Sequence, residues 1–372
     1  MICRKVIIPV LILSLSTSAA FSQTEVLKGV VNSLAFYKQK KDLKYLANAK
    51  KSIDSLITTK ADSANVEKIV YRAVVNSSIL YIDSLNKLNQ PAAFFSQTTS
   101  LVDDLSAKRK AYKYQAEIDY AKRCLANVYI RNAFKYVSKS DFNNALQLFM
   151  SAKNYAPNFK ELNAYIAYSN NKLGNMREAA RYYADLVNSD STRAEYVQAA
   201  SNSYKLLGDT ASALSIVKKG RKLLPNDKNL LLDEANIYSN RKDYRSLAPL
   251  LPALLDINSN NADIAFVAAV CYDHLNQYDK AESLYLRSID LNNSAYDPIF
   301  NLGVLYLKEA AKKQERGSTP DNERAAQWLE KANEISPNNT NCLQMLQLVY
   351  TQAGNEEQTN RINNKLKQLT NQ

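Results

Sequence analysis

The chain has 372 residues and a formal charge of +12, with 48 Lys and Arg against 36 Asp and Glu, 24 Tyr, 7 Gly, 4 Cys and a single His. So few Cys and His argue against a disulfide framework and leave little material for a metal site. Scarce Gly, abundant Tyr and no alternating runs of β-branched residues predict an all-α protein, long enough for two ordinary domains or one elongated array.

Residues 1-22 read as a signal peptide. Arg4 and Lys5 precede an apolar run from Val6 to Leu15, and small residues follow as far as AAFSQ. The run is about half of the ~20 residues a membrane span needs. Cleavage is expected after Ser22, with Ala20 second; a retained N-terminal anchor is the competing reading. Cys3 lies before the apolar run, so it is not placed as a lipidation cysteine. An exported chain is expected, periplasmic by preference and extracellular as the alternative, with no transmembrane segment after cleavage. Loss of Arg4 and Lys5 lowers the charge by two and leaves Cys124, Cys271 and Cys342, widely separated and expected to be small core residues.

Residues 23-123 read as amphipathic helices, among them VLKGVVNSLAFYK, LKYLANAKKSIDSLI and ANVEKIVYRAVVNSSILYIDSLNKL. They are expected to be diverged helix pairs capping the C-terminal two thirds of the chain, with a separate helical domain as the alternative. Two basic clusters stand out, Lys38 to Lys44 and Ala107 to Lys113. Each reads as a solvated face or as a contact for an acidic lipid, glycan or protein; export makes nucleic acid an unsuitable natural partner. Asp followed by Ser or Thr recurs at Asp54, Asp62, Asp83, Asp190 and Asp209. This resembles a short sugar-attachment acceptor of exported bacterial proteins, although helix capping explains Asp62 and Asp209 equally well.

From Cys124 the chain is periodic. Tyr204, Tyr238, Tyr272 and Tyr306 stand 34 residues apart, as do Ala145, Ala179 and Ala213, with Ala281 two periods on; Gly174 and Gly208 keep the same offset. Units open at Ala126, Lys160, Ala194, Lys228, Ala262, Tyr296 and Thr340. In the third, Ala213 and Gly220 let two helices approach, Gly208 turns the chain and Pro225 stops it. The unit from Lys228 is degenerate, with Leu247 where the alanine belongs. In the sixth, Tyr306 and Pro337 are 31 residues apart, where Tyr204 and Pro225 are 21 apart. An insertion therefore lies near 308-324, expected to lengthen the first helix before a loop at Gly317 to Asn322.

With this spacing and these residues, the segment 124-372 resembles the tetratricopeptide repeat (TPR) family: about seven units and a C-terminal capping helix. The resemblance implies a right-handed α-solenoid of stacked helix-turn-helix repeats, with no cofactor and no reaction catalysed. It implies a scaffold that binds a protein or peptide partner along a concave groove lined by the first helix of each unit. The groove positions fall on Tyr168, Asn171 and Lys172; on Gln198, Asn202 and Lys205; on Asn236 and Asn240; and on Phe266, Asp273 and His274. Amide side chains there can pair with a peptide backbone. A clamp for a terminal carboxylate is not expected, because Gln198 and Leu232 occupy its basic positions. The alternative is a module that binds glycan or another envelope component.

The one candidate for chemistry is CYDH, Cys271 to His274. Cys271 and His274 share a helix face, but no further Cys or His lies nearby, so packing is the expected role. No phosphate loop or nucleophile elbow is present.

Overall fold

A computed structural model describes residues 27–188, 193–313 and 319–370. The expected signal peptide, the Asp190 motif, and Gly317 and Ser318 of the expected loop lie outside the described residues. Among the described residues there is no strand. Contacts divide the chain into two compact units, Met1–Ser191 and Thr192–Gln372.

The first unit contains α1 (Lys28–Lys40), α2 (Leu43–Ser55), α3 (Lys60–Ala64), α4 (Val66–Ile82), α5 (Phe94–Ala107), α6 (Gln115–Val137), α7 (Phe142–Tyr155), α8 (Leu162–Lys172) and α9 (Met176–Val187). Successive partners pack as α1 on α2, α2 on α4, α4 on α6, α6 on α7 and α8 on α9. The division expected at 123/124 falls inside α6, which passes through Cys124 without a break. This helix buries Ile118, Ala121, Leu125, Ala126, Val128, Ile130 and Ala133, which do not lie on a single stripe. It is therefore covered on several sides, and a pattern search for a one-sided helix does not find its start.

The second unit is the regular one. First helices α10 (Ala194–Leu206), α12 (Lys228–Asn240), α15 (Ala262–His274), α17 (Tyr296–Lys312) and α19 (Thr340–Gln352) begin at the residues the 34-residue frame names. Their second helices are α11 (Thr210–Leu223), the pair α13 (Tyr244–Leu247) and α14 (Leu251–Ile257), α16 (Tyr278–Leu291), α18 (Pro320–Ile335) and α20 (Glu356–Thr370). These are helix-turn-helix repeats.

Three residue classes recur through the repeats. Ala213, Val217 and Gly220 bury the inner face of α11, and a Cβ on Gly220 would stand 2.5 Å from Val197 of α10. Helix-ending turns recur in one register, with positive φ at Ser140, Gly174, Gly208, Lys242, Asn276 and Gly354. Asp141, Asp209 and Asp243 then cap the helix that comes next, their carboxylates accepting from the backbone N–H of Asn144, Ser212 and Ser246.

The departures have local causes. In the degenerate repeat, Leu247 is fully buried and the second helix is interrupted by a 3-10 turn at Ala248–Leu250. Pro249 and Pro252 remove donors there. In the sixth repeat, α17 has 17 residues where α10, α12, α15 and α19 have 13. The loop expected to reach Asn322 ends earlier, because Thr319 caps α18 and Pro320 occupies its first turn.

Candidate functional site

The groove positions fall in both units. In the first, Tyr168 on α8 is half-buried, edge-on to Phe142 with ring centroids 5.8 Å apart, and Lys172 stands 5.6 Å over its ring. Asn171 donates to the sulfur of Met176 at 3.7 Å. These three sit together at the C-terminal end of α8.

In the second unit, first helices pack side by side, α10 on α12, α15 on α17 and α17 on α19. Gln198 donates to Asp233 at 3.0 Å and so ties α10 to α12. Asn202, Lys205, Asn236 and Asn240 are exposed. Among the described residues, none hydrogen-bonds to their side chains. Asn202 and Asn236 occupy the same register of consecutive repeats, so their amides repeat along the face made by α10 and α12. Leu206, beside Lys205, is 69% exposed. The same positional rule that picks out Lys205 falls on Leu206, but a search for polar contacts passes over it.

Phe266 and Asp273, two of the expected groove residues, also make contacts within the fold. Phe266 packs against the core, its ring 6.1 Å from that of Tyr285. Asp273 is only 6% exposed, and both its oxygens accept from Lys308 of the next repeat at 2.8 Å. The phenol of Tyr285 also points at it, at 3.4 Å. Burial, and then the Asp273 charge, pushes the Tyr285 pKa far above the ordinary phenol value. Asp273 is thus a brace between α15, α16 and α17. His274 remains exposed, its ring stacked on Tyr244 at 4.3 Å and 7°.

Cys124, Cys271 and Cys342 are buried. Cys271 donates to the Tyr244 carbonyl at 3.4 Å, and burial pushes its pKa up to about 11. Its sulfur is a protonated packing atom at neutral pH, turned to a backbone oxygen, so it is not a thiolate beside His274. Among the described residues, no group of three or more Cys, His, Asp or Glu is placed to hold a metal ion.

The long α17 creates a feature that spacing alone did not reveal. Its last turn and the α15–α16 turn border an open cavity of about 570 Å³, lined by Asn276, Gln277, Tyr278, Asp279, Lys280, Glu309, Lys312 and Lys313. Lys312 lies 5.2 Å over the ring of Tyr278, and Lys280 lies 5.0 Å over that of Tyr272. The Glu309 pKa is raised, first by burial and then by the charges of Asp321 and Glu282. The lining mixes ammonium, amide and carboxyl groups with the Tyr278 ring and the lysine stems.

Of the five Asp in the sugar-acceptor pattern, the four that are described have structural work. Asp54 accepts from Lys50 at 2.7 Å, Asp62 forms a capping box with Thr59, Asp83 accepts from the N–H groups of Lys87 and Leu88, and Asp209 caps α11.

No family model matches the chain, and no curated protein matches it. Solved structures do. YrrB, described as a TPR protein with an unusual peptide-binding site, is 20% identical; the match covers 53% of this chain and 96% of that one, with a TM-score of 0.43. A crystal structure of MamA is 19% identical over 46% of this chain and 94% of its own, with a TM-score of 0.41. MamA from residue 41 to its end, from Desulfovibrio magneticus RS-1, is 20% identical over 48% and 96%, with a TM-score of 0.40.

Proposed function

We propose that the chain is a non-enzymatic scaffold of the bacterial cell envelope that binds a protein or peptide segment on the face formed by α10 and α12. One observation carries this reading. Asn202, Lys205, Asn236 and Asn240 are exposed and not used by the fold, and Asn202 and Asn236 recur in one register, while the carboxyl on α15 in the register of Lys205, Asp273, is consumed internally. Two amides one repeat apart can each donate to and accept from an extended backbone, and Leu206 beside them offers an aliphatic contact. The envelope location rests on the N-terminal sequence, in which two basic residues precede a short apolar run.

The test is site-specific photocrosslinking in cells, followed by affinity measurement on the captured partner. A crosslinker at Asn236 is expected to trap a polypeptide that one at the exposed Lys218 on α11 does not. The Asn202→Ala/Asn236→Ala pair is expected to weaken that complex by about tenfold, each lost hydrogen bond being worth about 0.5–1.5 kcal/mol. Equal trapping from Lys218, or full affinity in the double variant, overturns the groove. Capture of polysaccharide instead of polypeptide overturns the partner class.

A further inference from the structure

Helices α1 and α4 run toward one edge of the first unit, where the α1–α2 turn and the α4–α5 loop lie together: Tyr37 and Leu43 from one, and Ile82 and Leu88 from the other, share an apolar cluster. This edge gathers Lys38, Lys40, Lys41, Lys44 and Lys87. Its two carboxylates are already engaged. Asp42 accepts from the backbone N–H of Lys44 at 2.9 Å and pairs with its ammonium at 3.1 Å. Asp83 is buried and accepts from the N–H groups of Lys87 and Leu88 at 2.8 and 2.7 Å. The lysines crowd one another: burial and then the Lys41 charge lower the pKa of Lys38. The other basic stretch, Ala107 to Lys113, is at the opposite edge, where α5 ends and α6 begins.

Each of the two segments also exposes an apolar side chain. Leu85 is 77% exposed, and its loop is fixed: Asn86 and Gln90 exchange two hydrogen bonds, at 2.8 and 2.9 Å, and Asn86 and Asn89 hold positive φ. Phe36 is 49% exposed and stacks on Tyr45 at 5.6 Å, with Lys44 over the second ring. Lysines alone attract any polyanion. A rigidly presented leucine and phenylalanine among them gain nothing from an acidic polymer in water, but gain hydrophobic burial between acyl chains.

We propose that this edge docks on an anionic lipid bilayer, with its lysines at the phosphate layer and Leu85 and Phe36 inserted beneath it. The full chain is sedimented with vesicles of phosphatidylcholine alone and with vesicles containing about 30 mol% phosphatidylglycerol, at about 50 and about 300 mM salt. Expected is binding to the anionic vesicles only, weakened by salt. Lys40→Glu/Lys41→Glu is expected to lower it by at least about 25-fold, roughly fivefold per lysine removed. Leu85→Ser, at a side chain that makes no core contact, is expected to lower it by about tenfold while leaving the salt dependence unchanged. Equal, salt-insensitive binding to both vesicle types assigns the affinity to the N-terminal apolar run and overturns the proposal. So does absence of binding to the anionic vesicles. Lysine-dependent binding that ignores Leu85→Ser makes the edge a contact for acidic polymers or proteins and overturns the bilayer.

Discussion

Gly220 and Lys242 answer to opposite backbone demands. Gly220 is helical, and what it lacks is a Cβ: an added methyl would meet Val197 at 2.5 and 2.7 Å, too close for either helix to absorb by a rotamer change alone. Gly220→Ala should therefore destabilise the chain by about 1–3 kcal/mol despite alanine's better helix propensity. Lys242 sits at φ 52, in the register where Gly174 and Gly208 sit at 80 and 74. A left-handed conformation costs a non-glycine residue about 1–2 kcal/mol, partly offset by glycine's unfolded-state entropy. Lys242→Gly should then raise stability by about 0.5–1 kcal/mol in denaturant titration, and unchanged or lower stability would contradict the assignment of strain. In sequence, Gly174, Gly208 and Gly354 announce this turn. Ser140, Lys242 and Asn276 take the same conformation without a glycine to mark it, because the packed helix pair dictates the turn and the residue tolerates it.

At the scale of elements, the repeat frame locates helices well because its signal is steric. Small residues such as Ala213 and Ala281 must stand wherever two helices touch, and they recur at a spacing that can be counted. Charge pairing between neighbours leaves no such trace: nothing in the sequence marks Asp273 as the partner of Lys308, 35 residues away, rather than as an open groove residue. The insertion is legible as length, but its consequence, a cavity bordered by the last turn of α17, depends on which way that turn points. Glu309 on the cavity wall supplies a test. Its folded-state pKa is raised by burial and by Asp321 and Glu282, so the folded chain holds this proton more tightly than the unfolded chain does. Stability associated with Glu309 is therefore complete at acid pH and falls as pH rises from the ordinary carboxylate range through the raised value. Glu309→Gln should leave the melting temperature unchanged at low pH and raise it at neutral pH. A variant less stable than the parent at neutral pH would show that the carboxylate is stabilised there by Lys313 after all.

At the largest scale, the two halves of the chain differ in how they build a core. The second unit stacks elements of nearly equal length, and each repeat leaves an apolar face that the next covers. Its stack must therefore end in something that covers without exposing a fresh apolar face. Helix α20 does this: Ile362 is buried with Leu366 and Leu369 packed against the same cluster, while Arg361 pairs with Glu330 of α18 and Gln347 of α19 donates to Asn363. The first unit has helices from 5 to 23 residues long and keeps the 34-residue register only toward its end, at the turns of Ser140 and Gly174, so the order of its earlier helices could be read from amphipathic stripes but their boundaries could not. In a stack held by nearest neighbours, removing the last helix should be felt next door and fade with distance. Truncation before Glu356 strips cover from Leu346 and Val349 on α19. Amide hydrogen exchange should then lose protection in α19 first, in α17 and α18 less, and in α10 and α11 hardly at all. Even loss across the whole second unit would mean that the repeats fold as one indivisible block, and that the stacking logic read from the 34-residue spacing does not describe their energetics.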